Sequence, residues 1–217
     1  MRVVEGIRVC RGPSGLRGLL YESHGWFART FGRVRADSLE EGLRLWKRPS
    51  EAAYFRERDS NPSHRRAVEF LRPRVRGAVL DVGCGLGHLL RDLGGRGTGL
   101  DASFANLHLA RRFVVPEADL VCADASAGLP FPDGAMDAVV SVEAFTYVAD
   151  RAPLAREMRR VWNGRSGLVL THLHRTPAPP ARPVTRDDLL AWFPGAEVAE
   201  ETPETWSVTC APRGGGS

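Results

Sequence analysis

Ala78-Val79-Leu80-Asp81-Val82-Gly83-Cys84-Gly85-Leu86-Gly87-His88-Leu89-Leu90 is the stretch from which the rest of this chain is read. Small and apolar residues lead to one acid, glycines follow at alternate positions, and an apolar pattern of helical spacing begins behind them. That order predicts a buried strand, a tight turn and the start of a helix. Glycine lacks a Cβ, so such a turn can take positive φ and let a ligand approach its backbone. The helix behind it presents unpaired N–H groups and the positive end of its dipole. A nucleotide suits this turn. In the dinucleotide fingerprint G-x-G-x-x-G a pyrophosphate sits at the helix N-terminus. Here the third glycine arrives one residue early and Asp81 precedes the first. An acid there repels a pyrophosphate and favours a ligand carrying an ammonium group.

Outward from this stretch the chain alternates strand and helix. Strands are predicted at 78–82, 97–101, 120–123, 136–142 and 168–173, with helices at 86–93, after Ser103 and after Asp150. Thr185-Arg186-Asp187-Asp188 caps a last helix, and short strands near 196–199 and 205–210 follow. Upstream, Val3, Val4, Ile7 and Val9 suit a short strand. Tyr21, His24, Trp26, Phe27 and Phe31 form an aromatic cluster that packs a cap onto the core or closes a substrate pocket. Ser38 and Glu41 make a capping box for a helix with Leu39, Leu43 and Trp46 on one face, ended by Pro49. Asn61-Pro62 starts another. The pattern predicts an α/β fold: a Rossmann-like, seven-stranded, mostly parallel sheet with helices on both faces, plus an N-terminal helical cap. Residues 1–60 are read as cap or lid, 61–211 as core, and 212–217 as a flexible tail. Ligands in such folds bind beyond the carboxyl ends of the strands, where the strand order reverses.

The chain has 217 residues, enough for one domain with a substantial core. No apolar run reaches membrane-spanning length and no signal-peptide pattern opens the chain. The four cysteines, Cys10, Cys84, Cys122 and Cys210, are scattered without metal spacing, which predicts reduced thiols, a cytoplasmic location and no metal site. The formal charge is +4, and residues 1–60, with 12 Lys/Arg against 8 Asp/Glu, carry the whole excess. Almost all the bases are arginine, and no basic block with interleaved aromatics appears. Nucleic acid is therefore a disfavoured but open partner.

Three further strand ends complete a constellation. Asp101 ends the second core strand, where a carboxylate accepts from both hydroxyls of a ribose or serves as an N-terminal helix charge. Asp124 ends the third, in Cys122-Ala123-Asp124-Ala125, and Leu129-Pro130-Phe131-Pro132-Asp133-Gly134 follows. Together, motif I around Asp81, Gly99-Leu100-Asp101-Ala102-Ser103, Ala123-Asp124-Ala125, and Phe131-Pro132-Asp133-Gly134 running into Ala135–Val140 resemble a small-molecule class I S-adenosyl-L-methionine (SAM) dependent methyltransferase, over about residues 62–210. The resemblance implies SAM as cofactor. It implies that Asp81, Gly83 and Gly85 surround the methionine part, that Asp101 with Ala102 holds the ribose, and that Asp124 and Ala125 read the adenine. Backbone near Val142 and Glu143 would touch the amino-acid end.

Two departures stand out. Tyr147 occupies the place where the family often has a histidine, within Glu143–Asp150, and Trp162-Asn163-Gly164-Arg165-Ser166-Gly167 replaces a Lys-Pro-Gly-Gly turn. Methyl transfer from a sulfonium is an in-line displacement that alignment alone can accelerate by roughly 7–11 kcal/mol. A general base adds about 10²–10⁴-fold. Candidates for that base are Glu143, Tyr147, His24 and, first among the histidines, one of His172 and His174, which lie two apart on a strand and so share a face. His64 and His88 read as ordinary helix residues. The chain lacks the Asn/Asp-Pro-Pro-Tyr/Phe motif and the Pro-Cys or Thr-Cys nucleophile of common nucleic-acid methyltransferases. That leaves O-, N- or C-methylation of a small-molecule acceptor. RNA modification and a SAM-binding relative with cyclase or decarboxylase activity are the alternatives.

Overall fold

The computed structural model describes residues 2–10, 36–47, 49–177 and 182–212. The aromatic cluster at 21–31 and residues 213–217 of the tail lie outside them. The first strands are β1 (Arg2–Val4) and β2 (Ile7–Val9), followed by helices α1 (Leu39–Trp46), α2 (Pro49–Arg56) and α3 (Pro62–Leu71). Strand β3 (Val79–Val82), helix α4 (His88–Asp92), strand β4 (Thr98–Asp101), helix α5 (Phe104–Leu109) and strand β5 (Asp119–Cys122) follow. The remainder is β6 (Ala138–Val142), α6 (Arg151–Val161), β7 (Leu168–His174), α7 (Arg186–Trp192), β8 (Glu197–Thr202) and β9 (Thr205–Cys210). One nine-stranded sheet has the order β1-β2-β5-β4-β3-β6-β7-β9-β8. From β2 to β7 all neighbours are parallel; β1, β9 and β8 pair antiparallel.

Nine strands replace the seven predicted because residues 2–9 make a hairpin. Glu5 and Gly6 both take positive φ, 50° and 75°, the requirement of a two-residue turn that matches strand twist. The reversal lets β2 lie along β5, where Ile7 is fully buried with Leu107 and Leu120. This covers what would otherwise be an open sheet edge.

Helices cover both faces. On one side α6 buries Leu154, Ala155, Met158 and Val161 against Leu80, Val139 and Leu170. On the other, α3 buries Ala67, Val68 and Leu71 against Val79, Val140 and Val169. Helix α1 stops at Trp46, ahead of Pro49 as expected, but Pro49 also opens α2. Its fixed φ and missing N–H suit the first turn, where no intrahelical bond is required. Helix α1 keeps its predicted cap, Ser38 Oγ accepting from Glu41 N at 3.2 Å, and packs Leu43 onto Leu86, Leu109 and Val114.

Strand β7 is interrupted. Leu170 pairs with Val208 and Leu173 with Trp206, so one extra residue stands on the β7 side, and His172 takes φ 55°. This β-bulge breaks the regular pleat on which a shared face for His172 and His174 depended. The order of β3, β4 and β5 runs one way from the centre and that of β6 and β7 the other. The reversal therefore lies between β3 and β6, and a crevice opens beyond their carboxyl ends.

Candidate functional site

The turn after β3 is pinned to the neighbouring strand before any side chain is considered. Gly83 N and Cys84 N both donate to Leu100 O, at 2.7 and 3.0 Å. Gly83 has φ 81°, and a Cβ on it would lie 2.1 Å from that of Ala144. Only glycine lets the β3 and β6 ends close together here.

Asp101 then ties three pieces into one. Its carboxylate accepts from Gly85 N at 2.9 Å, from Ser103 N at 2.8 Å and from Asn106 Nδ2 at 3.2 Å. Burial pushes its carboxyl up from the usual range, and the backbone bonds from Ser103 and Gly85 work against that shift. Ala102 is exposed beside it, and Ser103 caps α5 by accepting from Asn106 N. At the next strand end Asp124 accepts from Ser126 N at 2.9 Å and Ser126 Oγ at 2.7 Å, closing its own turn. Ala125 packs against the main core. The 129–133 loop is held by α6: Glu157 accepts from Leu129 N, and Arg160 donates to Leu129 O, Phe131 O and Asp133.

A cavity of about 320 Å³ lies at the crevice between β3 and β6, within the range of small-molecule sites. Asp81, Gly83, Gly85, Val142, Glu143 and Tyr147 all line it. Asp101, Ala102, Asp124 and Ala125 do not; they occupy the adjoining ends of β4 and β5. His172 and His174 stand at the end of β7, outside the cavity wall. His172 Nδ1 lies 3.0 Å from Thr171 Oγ1, the backbone N–H of His172 donates to Glu201 Oε2 at 2.6 Å, and burial lowers the imidazole pKa, with Glu201 opposing. His174 faces Tyr147, ring centroids 6.5 Å apart.

The strongest electrostatic feature is Asp81. It is 2% exposed. Burial raises its carboxyl pKa to about 7, Arg58 opposing and Asp101 reinforcing the rise. No described residue donates a hydrogen bond to it. Arg58, itself buried, lines the same cavity. One wall thus offers an acid with no hydrogen-bonded partner and a guanidinium, the two groups that an α-amino acid zwitterion requires. A methionine-derived ligand fits the residues present.

Arg58 was not legible as a site residue, nor were Tyr54, Phe55 and His88. All four line the cavity. Tyr54 Oη donates to Glu143 Oε2 at 2.9 Å, Arg58 Nη1 lies 3.7 Å from Glu143 Oε1, and the Arg58 guanidinium sits 5.3 Å from the Tyr54 ring centre. Burial lifts the Tyr54 phenol well above its ordinary pKa, so it remains a donor. Glu143 holds φ 65°, a conformation costly for a residue with a Cβ and found most often at functional sites. His88 opens α4 and stays neutral at pH 7, its pKa held down to about 4 mainly by burial. The one available signal was the four-residue spacing of Tyr54 and Arg58, hidden once Pro49 was taken as a helix end.

Residues 80–170 match the family model described as "Methyltransferase domain". Over 88 residues the chain is 40% identical to 2-methyl-6-phytyl-1,4-hydroquinone methyltransferase of Synechocystis sp., which covers 38% of this chain and 28% of that protein. Over 110 residues it is 31% identical to ajmaline N-methyltransferase of Rauvolfia serpentina, covering 46% and 38%. The match thus spans well under half the length of these curated relatives. A solved SAM-dependent methyltransferase from Aquifex aeolicus superimposes with a TM-score of 0.53 at 15% identity, over 69% of this chain and 92% of that one, a likeness of fold.

Proposed function

We propose that this chain, which through residues 80–170 belongs to the class I SAM-dependent methyltransferases, methylates an O, N or C atom of a small-molecule acceptor. SAM, when bound, supplies an electrophilic methyl group on a positively charged sulfur that needs no further activation. The observation that carries the reading is the opposed pair of Asp81 and Arg58 on one cavity wall, above a glycine turn. Asp81 would take the ammonium and Arg58 the carboxylate of the methionine part. Gly83, Gly85 and the backbone of Val142 and Glu143 would enclose it. Asp101 and Ala102 would hold the ribose, and Asp124 and Ala125 the adenine.

Glu143 is the residue we assign to proton removal. It borders the cavity, and the Tyr54 hydroxyl and Arg58 fix both of its carboxylate oxygens. A carboxylate held in this way accepts a proton at one place without reorganising, which is what general-base catalysis requires. Tyr147, exposed at the rim, and His174 beside it would position the acceptor. His172, neutral and tied to Thr171 and Glu201, would support that wall. A small-molecule acceptor is favoured by the names of the two relatives, one acting on a hydroquinone and one on an alkaloid. Cytoplasmic placement is supported by the free thiols of Cys10, Cys84 and Cys122. Among the described residues no helix is long and apolar enough to cross a membrane.

The test pairs calorimetry with S-adenosylhomocysteine and transfer of a labelled methyl group from SAM to panels of phenols, amines and activated carbons. Binding with turnover on one panel is the expected result. Binding without turnover on any panel would favour a SAM-dependent activity other than methylation, and no binding would end the reading.

A further inference from the structure

Helix α3 and the loop after it carry a strongly unbalanced, exposed surface. Residues 62–76 hold five arginines, Arg65, Arg66, Arg72, Arg74 and Arg76, against Glu69 alone. That is a net +4, equal to the formal charge of the whole chain. All five are exposed. Their guanidinium bonds, where they make any, go to neutral oxygens: Arg65 to Ser60 O, Arg66 to Ser63 Oγ, Arg72 to Asp92 O and Arg74 to Phe70 O. Arginine outnumbers lysine throughout this chain, so arginine here in place of lysine is no signal. The shortage of acids is the signal: among the described residues none of the five is paired with a carboxylate, whereas Arg56 holds Glu40 and Arg160 holds Asp133.

Three of the five, Arg65, Arg72 and Arg76, line an open groove of about 900 Å³ between α3 and α4. Arg91 lines it too, but already holds Asp59 and Asp92. Two of the three acids of the groove wall, Asp59 and Asp92, are thereby occupied, which leaves Arg65, Arg72 and Arg76 against Glu69 along its length. Arg65 and Arg72 are seven residues apart on a helix, about 10 Å along its axis, a span that no single small anion covers. His64 lies buried at the floor, Nε2 on Asp92 at 2.7 Å and Nδ1 without a partner.

We infer that this groove binds the phosphate backbone of single-stranded nucleic acid, independently of what the cavity methylates. Guanidinium forks match phosphate oxygens in pairs, and an extended polyanion can engage all three arginines at once. A small phosphorylated ligand fits less well, since such sites enclose most of the ligand in largely apolar walls. A membrane surface fits less well because the groove is concave. In addition, the large apolar residues exposed among those described, Val3, Leu45, Tyr54 and Tyr147, all belong to other elements, so none is available here to insert. No Phe, Tyr or Trp lines the groove and the His64 ring is buried at its floor, so contacts should be to phosphates and insensitive to base sequence.

The experiment is fluorescence anisotropy of a labelled 20-nucleotide RNA with the full chain, from 50 to 300 mM salt. With three to four phosphates neutralised, log K should fall with log salt at a slope of about −2 to −3. Poly(U) and poly(A) should bind within about threefold of each other. Arg72→Glu with Arg76→Glu should weaken binding at least roughly tenfold and, by removing two contacts, flatten the slope by about 1.4. Arg72→Gln with Arg76→Gln should give a smaller loss. Arg44→Glu with Arg186→Glu, exposed on other faces, should change neither slope nor affinity beyond about threefold. Binding of S-adenosylhomocysteine, read by melting shift, should be the same in all variants, which shows that they fold. Absence of saturable RNA binding at 50 mM salt, binding unaffected by both Arg72/Arg76 pairs, or tighter association with vesicles containing one third anionic lipid would each overturn the inference.

Discussion

If Asp81 takes the ammonium group as proposed, it should set the pH dependence of cofactor binding. Its carboxyl group moves from 3.8 to about 7, for which burial is the main cause. A shift of about three units corresponds to roughly 4 kcal/mol opposing ionisation when no cation lies beside it. Besides Asp101 on β4, which raises the value, and Arg58, which lowers it, the cavity wall carries His88, whose pKa near 4 leaves it mostly neutral above pH 5. If an ammonium group binds only the ionised form, apparent affinity scales with the ionised fraction. That fraction is about 3% at pH 5.5 and about one half at pH 7.0. S-adenosylhomocysteine should therefore bind about fifteenfold more tightly at pH 7.0 than at pH 5.5, a range below ordinary α-amino titration near 7.7–8.0. Calorimetry at pH 7.0 in two buffers of different ionisation enthalpy should show about half a proton released per ligand bound. Asp81→Asn should bind weakly and lose both the pH slope and the proton release. A flat profile in the native protein, or a slope that persists in the Asn variant, would refute the reasoning.

The same group predicts an inverted effect on stability. Its folded pKa lies above its unfolded value, so the folded state holds the extra proton and stability falls as pH rises from about 4 to about 7. Without ligand, Asp81→Asn should match the native melting temperature at pH 4 and exceed it by several degrees at pH 8. Glu143→Gln should lower methyl transfer by about 10²-fold or more while the affinity for S-adenosylhomocysteine stays within about threefold; an unchanged rate removes Glu143 as the base. Arg160→Ala unties Leu129 O and Phe131 O and should cost about 1–3 kcal/mol in urea denaturation. Phe145→Ala, buried at 5.8 Å from Phe193 and 6.0 Å from Trp192, should cost about 3–5 kcal/mol.

Features encoded by consecutive residues were legible. The strand, turn and helix of 78–90, the capped start of α1 and the bounds of β9 each follow from local pattern, because their apolar spacing and turn residues lie side by side. What failed depended on partners far away in the chain. Pro49 both follows the end of α1 and opens α2, and only the packing of α2 over the cavity shows the second role. The irregular step of β7 at His172 comes from its pairing with β9, which no residue near 172 announces. Tyr54 and Arg58 resemble any other tyrosine and arginine until the fold brings them to Glu143, 89 residues from Tyr54. Asp101 was read as a ribose ligand or a helix charge. Its bonds to Gly85, Ser103 and Asn106 also make it a structural anchor, so Asp101→Ala would loosen the glycine turn as well as remove a ligand group, and Asp101→Asn is the cleaner probe.

The hairpin at the start of the chain has a consequence for synthesis. Strand β2 lies along β5, with Ile7 opposite Leu120, so the hairpin of β1 and β2 lacks its partner in the sheet until about 110 further residues have been made. At about 5–20 residues per second that delay is roughly 6–20 s. For that interval Ile7, buried in the finished fold, and Val4, partly buried there, stay uncovered. Slowing translation ahead of residue 120 should therefore lower the yield of folded protein more than an equal pause after it.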